Sequence, residues 1–208
     1  YFEEDGLEFI RIAKSMAVRV IYFIDDDLLN PCIVSLGAKK HRVHGSQSRI
    51  QSIKTQMKEV DLIYASTRNL KSRLERHYLG TPITFSRVNC SPLSFTLAKK
   101  DVCSIDSRIK RIGYTGFGHA ADFKIAVKAI RTIMETDKSV RLDLVGTIEV
   151  PEELEPFRER VSITKPIFSY SDFIRMLQDC RWEVGICPLA KTDFNMCKSI
   201  NKWVEYSS

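Results

Sequence analysis

The chain has 208 residues and a net charge of +6, with 44% hydrophobic and 28% charged residues. That is ordinary globular composition, which excludes a disordered or collagen-like chain and leaves room for one large domain or two small ones. The mild excess of Lys and Arg (32) over Asp and Glu (26) admits an anionic ligand or an anionic membrane surface without requiring nucleic acid.

No apolar run approaches the ~18 residues of a membrane span. The longest candidate, Val18 to Ile24, is strand-sized and interrupted by Arg19. No secretory signal is visible, and a start at Tyr1 rather than Met reads as a cut boundary. Cys32, Cys90, Cys103, Cys180, Cys187 and Cys197 form no CxxC pair and no zinc spacing. They read as reduced cytosolic thiols.

In chain order, Leu7, Ile10, Ala13 and Ala17 recur at helical spacing, and Val18 to Ile24 is a β-rich run ending in Asp25-Asp26-Asp27. Ile50, Ile53, Met57 and Val60 form a second helical stripe, followed by a strand from Leu62 to Ala65. Ser66 or Thr67 then caps a helix carrying Leu70 and Leu74, and Ile83 to Val88 is a short strand. Residues 89–107 show no period and read as an interdomain linker.

The alternation is cleaner after that. A strand from Ile109 ends at Gly116; Phe123, Val127, Ile130 and Met134 make an amphipathic helix; and a strand from Val140 ends at Gly146. Pro151 opens an acidic-then-basic helix, Val161 to Thr164 is a strand, and Ser171 caps a helix with Phe173, Ile174 and Leu177. Glu183 to Cys187 is a strand ended by Pro188, and Lys198 to Ser207 is the final helix. Strands alternating with helices predict an α/β fold with mostly parallel sheets.

Open parallel sheets bind ligands beyond the carboxyl ends of their strands. Gly116-Phe117-Gly118-His119 falls at such an end, where glycine lets backbone approach a phosphate and a helix N-terminus favours anions. A tight strand-to-helix turn accounts for the Gly-x-Gly equally well. Lys198, Lys202 and Glu205 are spaced i, i+4 and i+7, so a helix from Lys198 puts them on one face. The lysines suit a diphosphate and Glu205 suits ribose hydroxyls, and a solvated face with a Lys202–Glu205 ion pair is the plain alternative.

The segment Ile112-Gly-Tyr-Thr-Gly-Phe-Gly-His-Ala-Ala-Asp-Phe123 resembles the opening of the C-terminal domain of GT-B glycosyltransferases, near family 4. Val140 to Gly146 resembles their next strand. Gly185 to Leu189, Asp193-Phe-Asn195, and Lys198-Ser199 through Lys202 to Tyr206 resemble their donor-binding loop and helix. The strand ending in Asp-Asp-Asp-Leu and the run Asp61 to Thr67 resemble the end of the N-terminal domain. The resemblance implies two Rossmann-like domains of GT-B type, the N-terminal one only partly present. Residues 1–95 would be acceptor-side, 96–107 linker, and 108–208 the donor-binding domain.

The resemblance further implies transfer of a sugar from a nucleotide-sugar to a glycan or lipid-linked acceptor in surface polysaccharide synthesis, with retention and with no metal or other cofactor. It implies a cytoplasmic protein, peripheral at the inner face of an anionic membrane, without nucleic acid as a partner. His119 would be the catalytic-site residue, and Gly116, Phe117, Gly118, Lys198, Ser199 and Lys202 would hold the donor phosphates. Glu205 matches the second motif glutamate, at the ribose. The first falls at Cys197 by spacing, which passes the sugar contact to Asp193 with Asn195 beside it. A complete enzyme of this type is close to twice as long, so the chain reads as a fragment.

Two rivals remain. Asp25 and Asp27 after an apolar strand suit the nucleophile and acid of a Mg²⁺-dependent haloacid-dehalogenase-type phosphatase, although Leu29 stands where that pattern wants Thr or Val. A non-catalytic nucleotide-binding scaffold would draw on the basic clusters Lys39-Lys40-His41-Arg42 and Arg108 to Arg111, which match no nucleic-acid motif.

Overall fold

The computed structural model describes residues 4–30, 47–77, 79–86 and 109–207. The linker 96–107, the cluster at Lys39 to His44, and Cys32, Cys90 and Cys103 lie outside them. Two units emerge, Tyr1–Val88 with Lys191–Ser199, and Asn89–Ala190 with Ile200–Ser208.

In unit 1 the strands β1 (Ile21–Ile24), β2 (Leu62–Ala65) and β3 (Ile83–Phe85) form a parallel sheet in that order. Helices α1 (Glu4–Ser15), α2 (Gln47–Glu59) and α3 (Arg68–Glu75) accompany it. The stripes of α2 and α3 read from the sequence are buried, whereas of Leu7, Ile10, Ala13 and Ala17 only Ile10 is buried, and Ala17 lies exposed beyond the end of α1. Ile53, Met57, Leu70 and Leu74 pack with Ile24 and Ile63 into one core. Each such side chain contributes roughly 1.5–3 kcal/mol relative to exposure. Thr67, not Ser66, caps α3, its hydroxyl accepting from Leu70 N–H at 3.1 Å.

The sequence places residues 191–199 with the second half, and the structure groups them with unit 1. Cys197 is 3% exposed and belongs to the unit 1 core. The Thr67 hydroxyl donates to the Cys197 carbonyl at 2.8 Å, and the Asn69 amide donates to the Met196 carbonyl at 2.8 Å. A small apolar thiol at this position and two polar side chains at the start of α3 draw the segment in.

Unit 2 holds a four-stranded parallel sheet. Its strands are β4 (Lys110–Gly116), β5 (Val140–Gly146), β6 (Val161–Thr164) and β7 (Val184–Gly185), in spatial order β6-β5-β4-β7. Helix α4 (Ala120–Thr136) lays Phe123, Val127, Ile130 and Met134 against Ile112, Tyr114, Leu142 and Leu144. Its last carbonyls are met by Arg160, which donates to Met134 O at 2.6 Å and to Asp137 O at 3.1 Å.

Several expected boundaries move, for local reasons. Residues Glu152–Arg160 form two short 3-10 stretches that meet at a kink at Phe157 (φ −111°, ψ 16°), just after Pro156, whose ring removes a backbone donor. Helix α5 (Tyr170–Cys180) is capped by Ser169 rather than Ser171. The run Glu183 to Cys187 pairs over two residues only, and the last helix, α6, spans Asn201–Ser207 rather than starting at Lys198. Lys198 has extended dihedrals (φ −66°, ψ 148°), so it lies outside the helix and off the face shared by Lys202 and Glu205.

Candidate functional site

The carboxyl ends of β4 and β5 lie side by side, with Gly116 in register with Gly146. The chain turns there on two left-handed glycines, Gly118 (φ +68°) and Gly146 (φ +116°). A Cβ on Gly146 would stand 2.2 Å from the Gly116 carbonyl oxygen, so that approach admits glycine alone. The same oxygen accepts from Thr147 N–H at 2.9 Å, and Gly118 N–H donates to the Thr147 hydroxyl at 2.8 Å. These bonds hold Gly116 to His119 as a shaped turn leading into α4.

His119 is the N-cap of α4 but makes no side-chain cap bond. Its Nδ1 lies 2.9 Å from Oδ2 of Asp122, three residues on in the first turn. Asp122 is 5% exposed, and its Oδ1 accepts from Ala190 N–H at 2.8 Å. An acidic group in the first turn also complements the helix dipole.

Helix α6 brings the charged groups. The Tyr206 hydroxyl meets Thr115 twice, accepting from its N–H at 2.9 Å and pairing with its hydroxyl at 2.8 Å. That anchors α6 beside the end of β4. Lys202 Nζ sits 4.6 Å from the centroid of the buried Tyr114 ring, a cation–π contact. Tyr114 stacks on Phe123 at 4.8 Å, and among the described residues its hydroxyl meets no hydrogen-bond partner.

Burial dominates the titration of this cluster. It raises the Glu205 carboxyl above its ordinary value, with Lys202 opposing. It pushes the Tyr206 hydroxyl up to about 12 despite the bonds to Thr115. It raises Tyr114 further still, with the Asp122 charge adding. The Cys187 thiol is raised too, again with Lys202 opposing.

No protein-family model and no curated protein matches the sequence. Among solved structures, the chain superposes on apo OtsA with a TM-score of 0.54 at 10% identity, over 96% of this chain and 53% of that one. It superposes on the α,α-trehalose 6-phosphate synthase of Burkholderia multivorans with a TM-score of 0.51 at 10% identity, over 96% and 52%. The fold is that of the GT-B glycosyltransferases. What is shared at such identity is the fold, and the chain spans about half the length of either structure.

Within this GT-B fold, the predicted site residues divide between the units. Gly116, Phe117, Gly118, His119, Lys202 and Glu205 belong to unit 2 and gather around the end of β4. Asp193, Asn195, Lys198 and Ser199 belong to unit 1. There Asp193 pairs with Arg73 Nη1 at 3.0 Å, and Arg73 Nε also holds Asp27 at 3.1 Å. Asn195 is buried at 8% exposure, and Lys198 Nζ lies 3.6 Å from Asp26 and 5.0 Å from the Phe194 ring centroid.

That arrangement bears on the phosphatase reading. Asp27, the acid of that reading, is 1% exposed and ion-paired to a guanidinium, which closes it off from a substrate. Asp25 is exposed; partial burial of its carboxyl raises its pKa, the Asp26 charge adds to this, and Lys198 opposes it. The described residues contain no group of three His, Cys, Asp or Glu side chains placed to hold a metal. They also contain no helix long and apolar enough to cross a membrane.

Sequence reasoning missed Asp122, Thr147 and Tyr206. For Asp122 a signal existed: a polar N-cap residue and an acidic residue three positions on lie close across the first turn, and here the two side chains bond each other. Nothing in the sequence marks Tyr206 as the anchor of α6.

Proposed function

We propose that the end of β4 binds a nucleotide-sugar donor and that the protein is a glycosyltransferase. It moves the sugar, with retention, to a glycan or lipid-linked acceptor in surface polysaccharide synthesis. The observation that carries this reading is the pinning of α6, with Lys202 and Glu205, to Thr115 beside the Gly116–His119 turn. A backbone turn, a cation and a carboxylate around one strand end match the three parts of such a donor. Lys202 offsets the charge of the diphosphate, including the charge released to the leaving nucleotide. Glu205 accepts from ribose hydroxyls, and the turn with His119 lies toward the sugar. Donor binding of this kind asks for no metal, and the work belongs at the inner face of an anionic membrane.

The GT-B fold supports the reaction class by analogy alone, since a fold hosts many activities. Calorimetry with a panel of nucleoside diphosphates and nucleotide sugars tests the site. Selective binding by the chain, weakened by about 10-fold or more in Lys202→Ala/Glu205→Ala, is the expected result, on the scale of two charge-assisted contacts. Unchanged affinity in the double variant overturns the assignment.

A further inference from the structure

We propose that Tyr114 is a positioning residue of the donor site: the face of its buried ring holds the Lys202 ammonium beside the end of β4, so that a diphosphate meets a cation already in place. The inference rests on the donor-site reading above and adds to it a residue that has no exposed surface of its own.

Helix α6 reaches the end of β4 through two residues one turn apart, Lys202 and Tyr206. Neighbouring residues of a strand point to opposite faces of the sheet, so Tyr114 and Thr115 give α6 two separate holds. Tyr206 takes Thr115, through its N–H and its hydroxyl. The Tyr206 ring also packs on Gly185, where a Cβ would stand 2.5 Å from it, and meets Trp182 edge-on with centroids 5.5 Å apart. These contacts fix the backbone of the helix. Lys202 takes Tyr114, with Nζ 4.6 Å from the ring centroid.

With the helix fixed, the freedom that remains is that of the long lysine stem. A stem left to order itself when an anion arrives lowers affinity by about 3–10-fold. The negative face of an aromatic ring holds a cation in advance, and more firmly where water is excluded. Tyr114 is itself held, fully buried and stacked on Phe123 at 4.8 Å. The ring bears no charge, so it steadies the ammonium without neutralising it. Glu205 and Cys187 also feel the Lys202 charge, which makes a variant that alters the ring alone the decisive one. The Tyr114 hydroxyl meets no hydrogen-bond partner among the described residues, so phenylalanine at this position keeps the ring and gives up no bond.

Two readouts on the whole chain test this. The first is calorimetry with uridine and guanosine diphosphates. Tyr114→Phe should bind within about two-fold of the unaltered chain, and Tyr114→Leu about 3–10-fold more weakly. Phenylalanine carrying one, two or three ring fluorines, placed at position 114 by nonsense suppression, keeps the ring's shape and withdraws the negative charge of its face in steps. Affinity should fall with each fluorine, and in Lys202→Met the same series should be flat. A ring with a packing role alone gives no such slope. The second readout is the ¹H–¹³C shifts of the Lys202 ε-methylene, assigned by their loss in Lys202→Met. The ring current should move these protons upfield in the unaltered chain and in Tyr114→Phe, and release them in Tyr114→Leu.

A fluorine series without slope overturns the role of the ring, and it decides alone if Tyr114→Leu does not fold. A loss in Tyr114→Phe as large as in Tyr114→Leu passes the role to the hydroxyl, and a slope that persists in Lys202→Met passes it to a contact other than Lys202; each result overturns the proposal. If the unaltered chain binds neither diphosphate, the donor-site reading falls and the effect on affinity with it, while the ε-methylene shifts still judge whether Tyr114 holds Lys202.

Discussion

The two left-handed glycines at the carboxyl ends of β4 and β5 make a controlled pair. Gly118 (φ +68°) has open space where a Cβ would go, whereas a Cβ on Gly146 (φ +116°) would meet the Gly116 carbonyl oxygen at 2.2 Å. Gly118→Ala therefore pays for backbone conformation alone, ~1–2 kcal/mol. Gly146→Ala incurs backbone strain of ~1–3 kcal/mol and must also displace a carbonyl that accepts from Thr147 N–H at 2.9 Å, a further ~1 kcal/mol. For a chain of about 200 residues, where 1 kcal/mol moves the midpoint by about 2–4 °C, the expected losses are about 2–8 °C for Gly118→Ala and about 4–16 °C for Gly146→Ala. Gly118→Asn should recover part of the smaller loss, since asparagine visits the left-handed region. Differential scanning calorimetry of the three variants reads this directly. A Gly146→Ala protein that melts no lower than Gly118→Ala would refute the steric argument, and with it the claim that the approach of residue 146 to the Gly116 carbonyl requires glycine.

Two further outcomes follow from the charged groups. Arg73→Met strips the buried Asp27 carboxylate of its partner, and Asp27 Oδ1 already lacks a hydrogen bond among the described residues. A broken buried pair costs about 3–5 kcal/mol; discounted for the partly exposed Arg73, a loss of about 2–4 kcal/mol is expected in denaturant titration, with recovery in Arg73→Met/Asp27→Asn. For Glu205, burial raises the folded carboxyl above the ordinary 4.5, so the unfolded chain releases this proton first as pH rises. Stability falls through that window, from the unfolded value up to the folded one, and stays lower above it. Glu205→Gln should remove that decline, leaving the variant at least as stable as its parent at neutral pH while weakening nucleoside binding. A stability difference between Glu205→Gln and its parent that stays constant across this pH window would contradict this.

The elements legible in the sequence were those with a long period. The stripe Phe123, Val127, Ile130 and Met134 and the run Val140 to Val145 each bury one continuous face, and both stand where the pattern put them. The short elements moved because their ends are decided by tertiary contacts. Lys198 looked helical by spacing from Lys202 and Glu205, yet the pull of Cys197 into the unit 1 core and the bonds from Thr67 and Asn69 straighten the chain ahead of α6. The site was half legible for the same reason. Glycines and charges advertise a strand end, but the groups that fix them (Asp122, Thr147 and Tyr206) act through bonds to partners as far as 91 residues away in sequence, as for Tyr206 and Thr115.

The membership of Lys191–Ser199 in unit 1 has a consequence for synthesis. On the ribosome, residues Tyr1–Val88 emerge long before Cys197, which fills a place in their core. The nascent unit must wait, with that place open, while more than a hundred further residues are made; at the usual ~5–20 residues per second the wait is on the order of ten seconds. During that time the start of α3 lacks the acceptors that Thr67 and Asn69 find in the finished protein. The residues that fill this place in the first unit's core are thus encoded within the second, and a chain interrupted before them leaves that place open.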